Sequence, residues 1–421
     1  MSKLRFGLIG LGEIAYKSTG HIFQKCEKCE MVAGVDPVEE VAASYEKDFG
    51  IPCGTDLEAI LARADVDAVI VSTPHYLHAP LGIQAAEARK HVIVEKPMAT
   101  TLEDADALIA ACKKNGVLLS SKESGVHYQP QTQKARELVA GGAIGEVMGI
   151  QINGLSNKPT SYWTGGYSNR VKTTWRMSKE QSGGGIFVMN FIYDIYRMRY
   201  VTGMDVKRVF AEYDTFNTDV EVEDYISVSL RFENGAVGTV TAGSTVPGAK
   251  QSGVRGTETS GNRIIGTKGQ IVFAGNRLLV FTDKDVDGLT RGDWTELTFE
   301  HVKGDSYVSY FDRFAEAVFD GREPDIPGEE GRKTLEVFVA AYKSGEMNQP
   351  VNLPSKGKGV PKQKEGVPSS REHFGYRWFG LTWNLERLRH FGTFFRIFRG
   401  ENVVDDYRDA KRKLPFRRVH D

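Results

Sequence analysis

The chain has 421 residues, 54 Lys+Arg against 55 Asp+Glu, a formal net charge of −1 and 40% hydrophobic residues. The near-neutral balance gives no general attraction to nucleic acid, and the length accommodates two domains with sizeable cores. No apolar run reaches the ~18 residues of a membrane-spanning helix. The first strand begins almost at once with no leader pattern before it, so a cytoplasmic location is expected.

Residues 4–9 (LRFGLI) form a short apolar run, read as a buried strand. Gly10-Leu11-Gly12-Glu13-Ile14-Ala15 follows and opens a helical pattern to residue 25. This is GxGxxA between a strand and a helix, the context of a dinucleotide-binding turn. Gly10 permits the turn, Gly12 lets backbone approach a pyrophosphate, and Ala15 keeps helix and strand close. Glu13 and Ile14 lie at the helix start, whose free N–H groups attract phosphate. Four cysteines are present, Cys26, Cys29, Cys53 and Cys112. Cys26-x-x-Cys29 lacks a second ligand pair, so no metal is expected, and chance spacing near a helix end outweighs a redox role.

The next strand, 31–35, ends in Asp36. A carboxylate about 20 residues beyond the glycines accepts the adenosine ribose hydroxyls and repels a 2′-phosphate, which favours NAD over NADP. Asp36-Pro37 would also suit a helix cap. Helix 56–64, strand 67–71, a helix to 90, strand 91–94, helix 102–115 and strand 117–120 continue the alternation. Such βαβ repetition predicts an α/β, Rossmann-type doubly wound parallel sheet over residues 1–125. Ligands sit at the carboxyl ends of such strands, where Ser72-Thr73-Pro74 and Glu95-Lys96-Pro97 fall. Pro97 restricts Lys96 to extended backbone. The competing reading of Lys96 is a surface lysine balancing Glu95.

From residue 145 the character changes. Segments 145–155, 206–217, 222–233, 236–244, 263–266, 269–274, 277–282 and 295–299 alternate or are rich in Val, Thr and Phe, and Asn234-Gly235 marks a hairpin. They predict a large, mainly antiparallel sheet in an α+β domain over 126–354, closed by helices 306–319 and 328–343. One open face of that sheet would suit self-association. Between residues 153 and 176 lies a loop rich in Gly, Ser, Thr and Asn. Its Tyr162, Trp163, Tyr167, Asn169, Trp175 and Arg176 combine ring faces with amide and guanidinium donors, which suits a sugar ring. Loop packing explains the aromatics equally well.

Residues 355–370 are rich in Lys, Gly, Pro and Ser and read as a linker. The extension 355–421 holds 16 Lys+Arg against 8 Asp+Glu. TWNLERLRHFGTFFRIFRG has an amphipathic helical pattern. An arm docking on an acidic face of a partner subunit is the favoured reading, with attachment to an anionic membrane surface the alternative.

GLGEIA, STPHYLH (72–78) and HVIVEKPMATTLEDADAL resemble the glucose–fructose oxidoreductase / inositol dehydrogenase / MocA (Gfo/Idh/MocA) family. VHYQP (126–130) resembles a turn of that family, with His127 where arginine is usual. Trp175-Arg176, the glycines of 182–185 and the helix 329–345 match in order, so the resemblance runs from about residue 3 to 354. It implies an oxidoreductase that binds NAD through Gly10, Gly12, Glu13, Ile14, Asp36, Thr73, Pro74, His78, Glu95 and Lys96. It makes Lys96 a catalytic residue beside the nicotinamide and adds His127 and Tyr128 to Trp163, Trp175 and Arg176 as substrate candidates. It also implies dimer formation through the open face of the sheet; a homodimer or homotetramer through the sheet and the extension is expected, although the family core does not account for the extension.

One stretch departs from the pattern. After the triple glycine the family usually carries Asp-x-Gly-x-His-x-x-Asp; here Met189 replaces the aspartate and Tyr193 the histidine. Tyrosine at that position also occurs in the family, which makes Tyr193 the acid–base partner of Lys96. A nearby ammonium favours the phenolate, so Lys96 is expected to lower the Tyr193 pKa. Asn190 and Asp194, four apart and on one face of a helix, are the alternative pair. The leading expectation is hydride transfer between nicotinamide C4 and a secondary hydroxyl carbon of a sugar, glycoside or cyclic polyol. Alternatives are an NAD-retaining glycosidase using transient oxidation and elimination, or a non-enzymatic cofactor-sensing regulator.

Overall fold

A computed structural model describes residues 2–166, 171–249, 261–300 and 304–354. Tyr167, Asn169 and the extension 355–421 lie outside the described residues.

Strands β1 (Leu4–Ile9), β2 (Cys29–Val35), β3 (Cys53–Gly54), β4 (Ala68–Val71), β5 (His91–Val94) and β6 (Leu119–Ser121) form the first sheet. They pair in parallel in the order β3-β2-β1-β4-β5-β6. Every residue of β4 is buried, as expected of a strand covered on both faces. Strand order reverses between β1 and β4, the switch point beyond whose carboxyl ends such sheets form their ligand crevice. Gly10 follows β1 and Thr73 lies two residues past β4, so both line the rim of that crevice.

The helix Leu102–Asn115 has the predicted extent because Thr101 caps it, its hydroxyl accepting from the Asp104 N–H at 3.1 Å. The helical pattern after Gly12 is less regular than expected. Glu13–Ala15 is α-helical, Tyr16–Gly20 winds with wider π spacing, and His21–Phe23 returns to α. Helix Glu39–Phe49 and the two-residue strand β3 have no counterpart among the predicted elements.

Among the described residues the second sheet has nine strands: β7 (Val147–Leu155), β8 (Val206–Asp214), β9 (Tyr225–Phe232), β10 (Val237–Gly243), β11 (Asn262–Gly266), β12 (Gly269–Ala274), β13 (Arg277–Thr282), β14 (Trp294–Thr298) and β15 (Val351–Asn352). Their order is β14-β13-β12-β11-β7-β10-β9-β8-β15, and all pairs are antiparallel except β7 with β10. Asn234-Gly235 makes the β9–β10 turn as predicted, with the Phe232 N–H donating to the Ala236 carbonyl at 2.9 Å. Ile226, Val228, Leu230 and Phe232 of β9 point inward, and Tyr225, Ser227 and Ser229 point out. The inward face packs on helices Ile186–Asn190, Ile192–Thr202 and Gly328–Met347, where the Phe187 and Phe338 rings lie 4.4 Å apart.

Helix Asp305–Asp320 has nearly its predicted bounds, but it does not close the second domain. It packs on the first sheet, where Phe6 meets Phe23, Phe311 and Phe314 at ring separations of 5.3, 6.3 and 6.1 Å. Burying each such phenylalanine contributes roughly 1.5–3 kcal/mol. Residues 305–320 thus complete the core of the first sheet, across the boundary predicted at residue 125.

Candidate active site

The dinucleotide turn is shaped by contacts that glycine alone allows. Gly10 has φ +87°, and a Cβ there would lie 2.8 Å from the Ser72 carbonyl oxygen. A Cβ on Gly12 would meet no atom within 4 Å, so the backbone faces open space where a pyrophosphate can approach. Asp36 sits at the end of β2, its carboxylate accepting from the Leu11 N–H at 2.9 Å and the Val38 N–H at 3.0 Å. It braces a turn before helix Glu39–Phe49 but does not cap that helix, whose N-cap is Val38 with no side-chain bond, and it is tied to the glycine loop. These residues fit NAD: the open glycine would admit the pyrophosphate and the anchored carboxylate would hold the ribose. Glu13 is ion-paired with Lys17, while Ile14 is 44% exposed. His78 is not free to point outward, since its Nε2 lies 2.8 Å from the Thr73 carbonyl and its Nδ1 2.7 Å from that of Pro97. It braces the loops after β4 and β5, and burial holds its pKa below the usual histidine value.

Lys96 follows β5 and reaches across to the second domain. Its Nζ donates to the Met189 carbonyl at 2.7 Å and stands 4.8 Å from the Tyr193 ring centroid. Burial pushes its pKa down to about 8; Glu95 opposes the shift and Arg176 adds to it. Lys96 therefore titrates close to neutral pH.

The expected effect of Lys96 on Tyr193 is corrected by this geometry. The ammonium lies over the ring face rather than at the phenol oxygen. Burial raises the Tyr193 pKa well above its ordinary value, and a hydrogen bond with Tyr307 and the charges of Glu95 and Glu123 add to the shift. This environment favours the neutral phenol.

Lys96 and Glu95 favour each other's charged forms, but the direct ion pair of Glu95 lies elsewhere. Glu95 pairs instead with Lys122 at 2.5 Å, with both side chains almost fully buried. Burial would raise the Glu95 pKa, but the Lys122 ammonium outweighs it and holds it below the usual value. Glu123 is completely buried, accepts from the Ser121 hydroxyl at 3.1 Å, and is pushed up to about 7 by burial. Lys122 and Glu123 come directly after β6, so the strand-end argument that singled out Lys96 applies equally to them. Tyr307 and Glu223 carry no comparable signal in the sequence.

The triple glycine is explained by close packing. A Cβ on Gly184 would meet the Tyr342 ring at 2.3 Å, and one on Gly185 the Glu223 carbonyl at 2.0 Å. The Glu223 carboxylate accepts from the Gly185 and Phe187 N–H groups at 2.7 and 2.9 Å and from the Tyr342 hydroxyl at 3.0 Å. This clamp fixes the start of helix Ile186–Asn190, and with it the Met189 carbonyl that receives Lys96.

The helix breaks at Phe191 before Ile192–Thr202 begins. Asn190 and Asp194 therefore do not share one continuous helical face. Asn190 accepts from the Tyr162 hydroxyl at 3.0 Å. Asp194 accepts from the Asn262 amide at 2.5 Å and lies 3.5 Å from Arg197. Arg176 stacks over Trp175 at 4.5 Å and lies 5.4 Å from the Tyr162 ring, and Trp175 packs on His75 at 4.4 Å. Asn190, Tyr162, Arg176 and Trp175 thus form one linked group, joined electrostatically to Lys96 through Arg176. Trp163 is 2% exposed and part of the second core. His127 and Tyr128 point elsewhere: His127 Nδ1 lies 2.6 Å from the Tyr196 hydroxyl, and Tyr128 donates to Asp325 at 2.8 Å.

Residues 4–123 match the oxidoreductase family with an NAD-binding Rossmann fold, and residues 132–272 match the GFO/IDH/MocA C-terminal domain. A myo-inositol 2-dehydrogenase from Thermotoga maritima is 28% identical over 360 residues, 83% of this chain and 98% of that protein. The aldose-aldose oxidoreductase of Caulobacter crescentus, crystallised with glycerol, is 29% identical with a TM-score of 0.70, over 83% of this chain and 100% of the other. The WlbA dehydrogenase of Bordetella pertussis, solved with NADH and UDP-GlcNAcA, is 25% identical with a TM-score of 0.69, over 84% of this chain and 99% of the other. With both halves of the fold matched in order, this chain belongs to the Gfo/Idh/MocA family of NAD-binding oxidoreductases.

Proposed function

We propose that the protein moves a hydride between the nicotinamide and a secondary hydroxyl carbon of a sugar, glycoside or cyclic polyol. NAD, when bound, accepts or gives the hydride. The observation that carries the reading is Lys96, held at the carboxyl edge of the first sheet by the Met189 carbonyl and titrating near neutrality. A base whose pKa is close to the working pH is most effective in proton transfer. With a pKa about one unit above neutral, roughly a tenth of Lys96 is the free amine at pH 7. That amine accepts the substrate hydroxyl proton, and the ammonium returns it in the reverse direction. Tyr193 donates a hydrogen bond from its phenol and holds the substrate oxygen. Arg176, Trp175, Tyr162 and Asn190 supply the ring faces and polar partners that a polyhydroxylated ring requires. The names of the inositol dehydrogenase and aldose-aldose oxidoreductase relatives agree with that substrate class.

The test is product analysis with NAD and a panel of sugars, glycosides and inositols. Net NADH with an oxidised product supports the dehydrogenase. A released leaving group without net NADH supports the glycosidase, and neither product at any substrate supports the regulator.

A further inference from the structure

In sequence, Cys26-x-x-Cys29 has no second ligand pair, but the fold supplies a third donor 283 positions further along. Asp312, on helix Asp305–Asp320, comes within 3.7 Å of the Cys29 sulfur through its Oδ1. The two thiol sulfurs and one carboxylate oxygen all lie within 4.8 Å of one another. We propose that Cys26, Cys29 and Asp312 bind a thiophilic divalent cation of the zinc class, with water as the fourth ligand.

The arrangement is organised before any ion arrives. The Asp312 carboxylate accepts from the Glu27 N–H at 3.1 Å and the Lys28 N–H at 2.9 Å, the two residues between the cysteines. The loop that carries both thiols is thus wrapped around the carboxylate. Cys26 and Cys29 are 4% and 0% exposed, whereas Asp312 is half-buried and leaves a side open to water. Tetrahedral zinc, with bonds of about 2.3 Å to sulfur and 2.0 Å to oxygen, separates its ligand atoms by roughly 3.5–3.8 Å. The observed 3.7 Å contact falls in that range. Lys3, whose ammonium donates to the Cys26 carbonyl at 3.1 Å, offsets part of the charge of two thiolates and a carboxylate around one divalent ion. On binding, each thiol loses its proton to solvent as its sulfur–metal bond forms; two protons leave and no electron moves.

The site joins the loop before β2 to helix Asp305–Asp320. It is remote from the chemistry, since Cys29 begins β2 and Asp36 follows the far end, roughly 20 Å along a strand of this length. Its role is structural, and its test does not depend on turnover.

The experiment is titration of the reduced, full-length chain with zinc chloride, read by calorimetry and by the thermal midpoint, with cobalt chloride as a spectroscopic probe. Expected are one zinc per chain, a raised midpoint, and a thiolate-to-cobalt charge-transfer band that weakens in Cys26→Ser. Cys29→Ser and Asp312→Asn should each bind zinc at least about tenfold more weakly. Asp312→Asn alters a half-buried side chain without changing its size, so it keeps the test valid should a cysteine variant fail to fold. No saturable binding, binding unchanged in Asp312→Asn, or a Cys26–Cys29 disulfide in the protein as isolated would each overturn the proposal.

Discussion

The Lys96 ammonium donates a 2.7 Å hydrogen bond to the Met189 carbonyl, the main chain of the position where the family resemblance implies an aspartate. A carboxylate there would stabilise the ammonium and raise its pKa. The main-chain bond is one that any residue at 189 would offer; methionine adds no charge to it, and burial brings Lys96 down to about 8.

The pH dependence follows from that value, with Glu95 and Glu123 opposing the shift and Arg176 and Lys122 reinforcing it. Oxidation needs the free amine, so kcat/KM for the alcohol should rise with pH and level off above about pH 8. Reduction needs the ammonium and should fall over the same range. Met189→Asp should move the inflection upward. Profiles measured in both directions, for the native chain and the variant, check the sign.

In the proposed function Tyr193 is a donor that stays protonated. Tyr193→Phe should lower kcat about 10- to 100-fold, the worth of one hydrogen bond to a charged group. The inflection near pH 8 should remain, because it belongs to Lys96. Loss of that inflection in Tyr193→Phe would make the tyrosine the titrating base.

Asp36 is tied to the glycine loop through the Leu11 N–H at 2.9 Å. Asp36→Ser should weaken NAD binding by about 10-fold or more, as a charged acceptor is lost. It should also narrow the preference over NADP, since the repulsion of a 2′-phosphate goes with the carboxylate. Fluorescence titration with both reduced cofactors measures the two effects together.

The Glu95–Lys122 pair is buried at 2.5 Å beneath the site. Lys122→Met leaves Glu95 as an uncompensated buried charge, at a cost of about 3–5 kcal/mol. Replacing both, Glu95→Gln with Lys122→Met, should recover much of that loss. Denaturant melts of the single and double variants check the non-additivity.

The first sheet was legible where its strands are apolar runs bounded by turn residues, as in β1, β4 and β5; β1 and β5 carry their predicted limits. Helix Glu39–Phe49 and strands β3 and β15 went unpredicted, the two strands because two residues make no periodic pattern. The cofactor turn was legible for the same physical reason that glycine is needed there: Gly10 lies against the Ser72 carbonyl. Two judgements required the fold. A nearby ammonium lowers a phenol's pKa only where it outweighs burial, and at Tyr193 burial prevails, with the charges of Glu95 and Glu123 adding to it. Asn190 and Asp194 share a face only on an unbroken helix, and the chain turns at Phe191. Tyr307 and Asp312 reach their partners on a helix that crosses from the second domain to the first sheet, a juxtaposition that no local pattern encodes.

The most direct test of Lys96 as the proton-transfer group compares Lys96→Ala with the native chain, for turnover of the best substrate of the panel and for NADH binding. Turnover should fall by about 10²–10⁴-fold, the usual worth of positioned acid–base catalysis, while NADH still binds. A variant that turns over at the native rate with the native pH profile would contradict the account.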